Sequence, residues 1–350
     1  MKLMSSQAWQ DDLALAAVQV PQEVVHSGTY LVTGASGLIG SAFVDLLLQL
    51  RRTRNADIRI IAAGRDVSKL QSRFSDSDGL SFMSYDATRS FSSQSQVDYI
   101  VHAASNASPN LYMTDPCGTL SANIDGVRNL LEFACKTQVR KLLYVSSSEV
   151  YGVRSAPGPA RETDYGRVVP LDIRSSYAEG KRAAEAICAA YSAQYGVNVS
   201  IVRPGHIYGP TATRNDHRVS SEFPRFAARG EPIVLKSAGS QKRSYCHCLD
   251  CATAMLAVLA LGENAAAYNI ANPTSAITIR EMAEIVAAAG GVKLEFSTAS
   301  AAEKAAFNPM DDSSLNSDRL LSLGWQGTFP AQTGLSRTVA VLKEILENET

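Results

Sequence analysis

The chain has little tryptophan, little histidine and almost no net charge. Its 350 residues include two tryptophans and five histidines, and 33 basic side chains stand against 34 acidic ones, a formal charge of -1. A nucleic-acid binder ordinarily carries a basic excess, so this balance argues against a nucleic-acid partner. No apolar run approaches the ~18 residues of a membrane-spanning helix, and the longest candidates, such as Ala252–Leu261, have the length of a core helix. Met1–Val25 lacks the continuous apolar stretch of a secretory leader and carries Asp11 and Asp12. The expectation is therefore a cytosolic protein, without a membrane partner, whose six cysteines remain thiols. Cys246, His247, Cys248 and Cys251 look like metal ligands on paper. Side chains on a strand entering a helix point to different faces, and a tetrahedral site needs four that converge, so buried thiols and no metal are expected. There is also no internal repeat and no low-complexity tract. What remains is an ordinary globular composition, 45% hydrophobic and 19% charged, long enough for one large domain or two small ones.

Short apolar runs alternate with helical periodicity along the first two thirds of the chain. Strands are predicted at Thr29–Thr33, Ile58–Ala63, Leu80–Met83, Tyr99–Ala103, Lys141–Ser146 and Val199–Arg203. Fully apolar strands separated by helices imply a parallel sheet covered on both faces. After Pro204 the alternation weakens and loops multiply. The fold class expected is α/β, a Rossmann-type doubly wound parallel sheet with a smaller mixed α/β C-terminal substrate-binding part. The boundaries expected are an N-terminal helical extension over 1–27, a dinucleotide-binding domain with the catalytic residues over 28–204, and a substrate-binding part over 205–350, some segments of which return to the core. Glu162 and Asp164 are read as solvated charges.

Gly34, Gly37 and Gly40 lie between the first strand and the first long helix. A turn this tight needs positive φ, close approach to a pyrophosphate, and close packing of helix on strand. The helix start, Ser36 with Leu38 and Ile39, would offer N–H groups and positive potential to phosphates. The second strand should end in an acid if the cofactor is NAD; here Gly64 takes that place and Arg65 follows. An arginine there leans toward a 2′-phosphate and NADP, while Asp66 could still reach a ribose, so NAD and NADP both stay open. Asp86, with Ala87, fits an adenine contact, or simply a turn.

Tyr177 and Lys181 are four apart in SSYAEGK, on one face of a predicted helix. A nearby ammonium lowers a phenol's pKa, and a phenolate-like Tyr can take a proton from a sugar hydroxyl while hydride leaves the same carbon.

With these residues in place the chain resembles the extended short-chain dehydrogenase/reductases that act on nucleotide sugars: epimerases, dehydratases and decarboxylases. The resemblance covers roughly residues 28–330. TGASGLIG resembles the cofactor turn, and HAAS places Ala103, Ala104 and Ser105 over the cofactor, with Asn123 as the family's helix Asn. SSSEVYG resembles the active-site strand and RPGHIYGP the substrate loop. The resemblance implies cofactor contacts from Tyr177, Lys181 and Arg203, and substrate contacts from Ser108, His206, Arg218 and Arg243, the last on the nucleotide diphosphate. It implies a tightly held nicotinamide cofactor, a nucleotide-sugar substrate oxidised at C4 to a ketone, and a homodimer formed by helices around 120–137 and 177–195, where Ala183, Ala184, Ala186, Ala189 and Ala190 allow close approach.

Ser147 stands where the family hydrogen-bonds the sugar O4. Ser148 and Glu149 discriminate among the reactions. Dehydratases of the family have Asp-Glu there, and a serine hydroxyl is a poor general acid. Ser-Glu is the pairing of UDP-glucuronate decarboxylases, whose motifs are the closest. The chain departs from that subgroup twice: no arginine occupies Asn308–Met310, before the LGW motif, and the usual loop Asn is His206. His206 could serve as substrate donor or base, or only hold its loop. A 4- or 5-epimerase, an atypical 4,6-dehydratase, a reductase and a non-catalytic redox sensor stay as alternatives.

Overall fold

The structure is a computed structural model that describes residues 3–74, 78–299 and 310–349, with residues 109–111 described by their backbone. Asn308 and Pro309, where the family arginine was sought, lie outside the described residues. The elements run α1 (Gln7–Val18), β1 (Gly28–Thr33), α2 (Leu38–Thr53), β2 (Ile58–Gly64), α3 (Val67–Arg73), β3 (Leu80–Ser84), β4 (Tyr99–His102), α4 (Pro109–Thr114), α5 (Pro116–Thr137), β5 (Lys141–Val145) and α6 (Ser175–Tyr195). They continue with β6 (Val199–Pro204), β7 (His206–Tyr208), α7 (Val219–Ala228), β8 (Ile233–Leu235), β9 (Lys242–His247), α8 (Cys248–Leu261), β10 (Ala266–Ile270) and β11 (Ala276–Thr278). The last are α9 (Ile279–Gly290), β12 (Leu294–Phe296), β13 (Asp312–Ser313), α10 (Asp318–Leu321) and α11 (Ala331–Glu349).

The main sheet has seven strands in the order β10-β6-β5-β4-β1-β2-β3, every neighbouring pair parallel. The six apolar runs expected to be strands all lie in it, within a residue or two of their predicted ends. Except in the edge strand β3, their side chains are mostly buried on both faces because helices cover both faces: α2, α8 and α1 on one side, α5 and α6 on the other. The seventh strand, β10, comes from beyond residue 204 and pairs along β6, while α8 packs within the same core. The rest of the later chain forms small sheets. β9 is flanked by β11 and β13 and also pairs with β7, and β8 pairs with β12. A separate apolar cluster joins α7, α9 and α11 to these strands.

The N-terminal helix is docked. Ser6 caps α1 by accepting the Trp9 N–H, and its hydroxyl donates to Glu344 of α11 at 2.7 Å. Trp9 is fully buried and donates its indole N–H to Asp45 of α2. Asp12, also fully buried, pairs with Arg337 of α11. Removing a buried tryptophan side chain costs about 3–5 kcal/mol, so α1 contributes to the core as an integral element.

Candidate active site

β1 ends at Thr33 and the chain turns through Gly34, whose φ of +68° suits glycine. A Cβ on Gly34 would stand 2.6 Å from the Ala103 carbonyl oxygen, and one on Gly40 would stand 2.3 Å from the Gly34 carbonyl oxygen. The three-way approach of turn, helix and HAAS loop therefore exists only without side chains. Gly37 starts α2 with no side-chain cap, which leaves the first helical amides, Leu38 and Ile39 among them, open to an external acceptor. These residues fit a dinucleotide's pyrophosphate on backbone grounds alone.

The flanking acids have local duties. Asp66 caps α3 by accepting the Lys69 N–H at 3.0 Å. Asp86 accepts the Thr88 N–H and hydroxyl, which hold its carboxyl below the ordinary range. Gly64 ends β2, and Arg65 beside it is exposed. Ser105 donates to the Asn123 carbonyl oxygen at 3.0 Å, and the buried Asn123 amide donates to Thr119 in its own helix. Ala87 packs against α5 at Gly126.

At the end of β5 the chain enters a short 3-10 turn, Ser148–Tyr151, capped by Ser147, whose hydroxyl accepts the Glu149 N–H at 3.2 Å. Ser147 is also hydrogen-bonded to the Tyr177 phenol. Tyr177 and Lys181 share the inner face of α6, both buried. The Lys181 ammonium donates to the Val145 carbonyl at 2.7 Å and stands 5.8 Å from the Tyr177 ring centre. Burial pushes Lys181 down to about 7 and Tyr177 up to about 12. The expected lowering of the phenol by Lys181 is therefore not the net effect here: desolvation outweighs the Ser147 hydrogen bond and the Arg218 charge.

Glu149 is enclosed near this pair. Burial raises its carboxyl, against the charges of Arg174 and Arg243 that pull it down. Arg174 lies over the Tyr112 ring at 5.9 Å and hydrogen-bonds to it. Tyr112 in turn stacks on Tyr177, with centroids 5.4 Å apart. Arg218 caps α7 and holds Asp216 with two contacts, at 2.9 and 2.5 Å. Arg243 in β9 is buried and donates to the backbone carbonyls of Lys242 and Asp311. Ser148 is buried beside Glu149, and Ser108 opens α4, its carbonyl accepting the Tyr112 N–H.

The family model for "NAD dependent epimerase/dehydratase family" matches residues 30–271 of this chain. The chain belongs to that family. It is 35% identical over 259 residues to UDP-glucuronic acid decarboxylase 6 of Arabidopsis thaliana, covering 73% of this chain and 72% of that one. It is 31% identical over 320 residues to UDP-glucuronic acid decarboxylase 1 of Xenopus tropicalis, covering 91% and 73%. Among solved structures it is similar to the UDP-glucose 4-epimerase of Thermus thermophilus in complex with NAD, at 25% identity and TM-score 0.74, over 90% of this chain and 99% of that one. It also shares its fold with the UDP-glucuronic acid 4-epimerase of Bacillus cereus, at 18% identity and TM-score 0.73, over 91% and 99%.

Within this epimerase/dehydratase family member, one expected cofactor residue has another use. Arg203, buried at the end of β6, pairs with Glu185 of α6 at 2.6 Å and donates to the Tyr151 hydroxyl and the Glu162 carbonyl. Glu185 also accepts the Ser146 hydroxyl at 2.5 Å. Arg203 thus ties the catalytic helix to the turn bearing Ser147 and Glu149, and its donors face protein in place of cofactor. Glu162 and Asp164, expected to be solvated, are engaged as well: Glu162 accepts the Asn269 N–H, and Asp164 pairs with Arg154.

His206 is enclosed on β7. Burial and the Arg243 and Arg218 charges hold its imidazole down to about 3, so it is neutral at pH 7 and a poor base; its Nδ1 has no partner among the described residues. Cys246, Cys248 and Cys251 are fully buried free thiols in the core cluster. Tyr112, Arg174 and Glu185 were absent from the sequence-based site. Arg174 had a signal, standing three residues before Tyr177 and so on its helix face; the other two are joined to the site only through space.

Proposed function

We propose that this family member is a nucleotide-sugar decarboxylase acting on UDP-glucuronate with a tightly held NAD. The observation that carries the reading is the half-buried Glu149 beside the Ser147–Tyr177 hydrogen bond, in a chain 31–35% identical to UDP-glucuronic acid decarboxylases. NAD as cofactor is supported by the family and by the NAD complex of the Thermus enzyme. The exposed Arg65 next to Gly64 keeps the alternative, NADP, as a direct comparison in the binding assay.

When bound, the nicotinamide supplies the acceptor for the C4 hydride. Ser147 is the candidate to hold O4, and Tyr177 the candidate to take its proton once the positive charge of a bound oxidised cofactor brings the phenol down from the value of about 12 that burial gives it here. The oxidised glucuronate is a β-keto acid, so its C5–C6 bond breaks to release carbon dioxide, leaving the electron pair on C5 and the C4 carbonyl. Glu149, whose carboxyl burial favours in the protonated form, is the candidate for returning a proton to C5. Arg243 and Arg218 are the candidates for the diphosphate and the rest of the nucleotide sugar.

A cytosolic homodimer is part of the proposal. Its support is the absence of disulfides among the six free cysteines and the exposure of Ala186, Ala189 and Ala190 on α6; Ala183 is half-buried, and Ala184, expected in that contact, is instead buried in this chain's own core against α5. No described helix is long and apolar enough to cross a membrane.

The test is proton NMR of UDP-glucuronate incubated with the protein and no added reductant. UDP-xylose or its 4-keto precursor is expected. A 4-epimer would make the chain an epimerase. Conversion of UDP- or dTDP-glucose alone would make it a dehydratase, and steady consumption of NADPH a reductase. Bound cofactor with no turnover of any of these would leave a redox sensor.

A further inference from the structure

We propose that Arg174 recognises the carboxylate of the sugar and so sets the preference for a hexuronate over a neutral sugar. The inference rests on the decarboxylase reading above and supplies the cation that Asn308–Met310 does not.

A carboxylate at C6 is two bonds from C4, so its partner must stand beside the group that receives the C4 hydroxyl proton. Arg174 begins the helix that carries Tyr177, three residues before it. Its guanidinium lies 5.9 Å from the Tyr112 ring, which stacks on the Tyr177 ring at 5.4 Å. The Tyr112 ring therefore neighbours both the guanidinium and the ring of the reacting phenol.

The other arginines of the site already hold protein partners, and Arg218 and Arg243 are the candidates for the diphosphate end of the substrate. Arg218 is held by both oxygens of Asp216, Arg203 by Glu185, and Arg243 lies 3% exposed against backbone carbonyls. Arg174 is half-buried, and among the described residues its side chain has no carboxylate within ion-pair distance; Asp172 accepts its backbone N–H. Its charge also acts on Glu149, whose carboxyl burial raises against that pull. With no ion-pair partner among the described residues, the guanidinium fork is left for an incoming carboxylate, the group its planar geometry matches best.

The experiment is calorimetric titration of the NAD-loaded full chain with UDP-glucuronate and with UDP-xylose, which lacks the carboxylate. Wild type, Arg174→Gln and Arg174→Lys are compared. R174Q is expected to weaken UDP-glucuronate binding on the order of tenfold to a hundredfold, the scale of a lost charged hydrogen bond, and UDP-xylose by less than about twofold on the same basis. R174K, which keeps charge without the fork, should fall between. Equal weakening of both ligands by R174Q would mean a purely structural role and overturns the proposal. An unchanged preference accompanied by a shift in the pH profile of turnover would make Arg174 the counter-charge of Glu149 alone, and also overturns it. Failure of the underlying reading shows separately, as a wild type that leaves UDP-glucuronate unchanged in the NMR assay.

Discussion

The turn from Gly34 to Gly40 is encoded in seven consecutive residues and acts through its backbone. The cluster around Tyr177 draws on Tyr112, Ser147, Glu149, Arg174, Arg218 and Arg243, from segments spread over more than a hundred residues. Both belong to the same sheet and would serve one reaction, yet they are built differently. A phosphate cradle needs close approach and free amides, which glycine spacing specifies locally. A catalytic cluster needs particular side chains at particular distances, which only the packing of α4, α6, α7 and β9 against the end of β5 supplies. The first tolerates almost no side chain, and the second depends on each one it has.

The comparison breaks most sharply at Gly40. Gly40→Val puts carbon where the Gly34 carbonyl already lies 2.3 Å from the Cβ position, so nucleotide binding should be lost altogether, read by calorimetric titration with NAD and NADP. Tyr177→Phe should do the reverse. Cofactor binding persists while kcat on UDP-glucuronate falls on the order of a thousandfold, within the range general acid–base groups contribute; a near-wild-type rate would remove Tyr177 from the chemistry.

Glu185→Ala probes what lies between the two regions. It strands the Arg203 guanidinium inside the protein and frees Ser146. Breaking a buried pair costs about 3–5 kcal/mol, which urea denaturation would register. Loss of cofactor affinity without loss of stability would instead return Arg203 to the cofactor.

A last test bears on burial itself, through acid stability. His102, His206 and His247 are held down to about 3 by burial. Unfolded, a histidine titrates near 6.5, so between these values the unfolded chain binds more protons and stability falls as pH drops. The loss should begin near pH 6.5 and be complete by about pH 3. His206→Asn should flatten that slope modestly in thermal melts across pH 4–7; an unchanged slope would mean His206 is already solvated in the native state.

The glycine turn, the Tyr177–Lys181 spacing and six strands of the main sheet were legible because each is a local pattern: a triplet, a helical repeat, an apolar run. β10 was not. AAYNI carries a single β-branched residue, Ile270, and two alanines, which do not favour a strand, and it becomes one by pairing with β6. Arg203 shows what a motif position does not report. A motif position suggested a cofactor contact, but Glu185, eighteen residues earlier on α6, meets its guanidinium first. Lys181 and Tyr177 were paired correctly by spacing, while the direction of their pKa shifts depended on burial, which spacing does not report.

Sequence alone established the class of fold, the place of the cofactor turn, the Ser147–Glu149 and Tyr177–Lys181 sets and the resemblance to the nucleotide-sugar enzymes, since each rests on neighbours along the chain. Tertiary packing decided that Tyr112 and Arg174 join the site, that Arg203 braces it, that Glu149 and His206 are driven toward neutrality, and that α1 locks onto α2 and α11. Those outcomes depend on desolvation and on contacts between distant segments, and neither exists until the chain has closed around them.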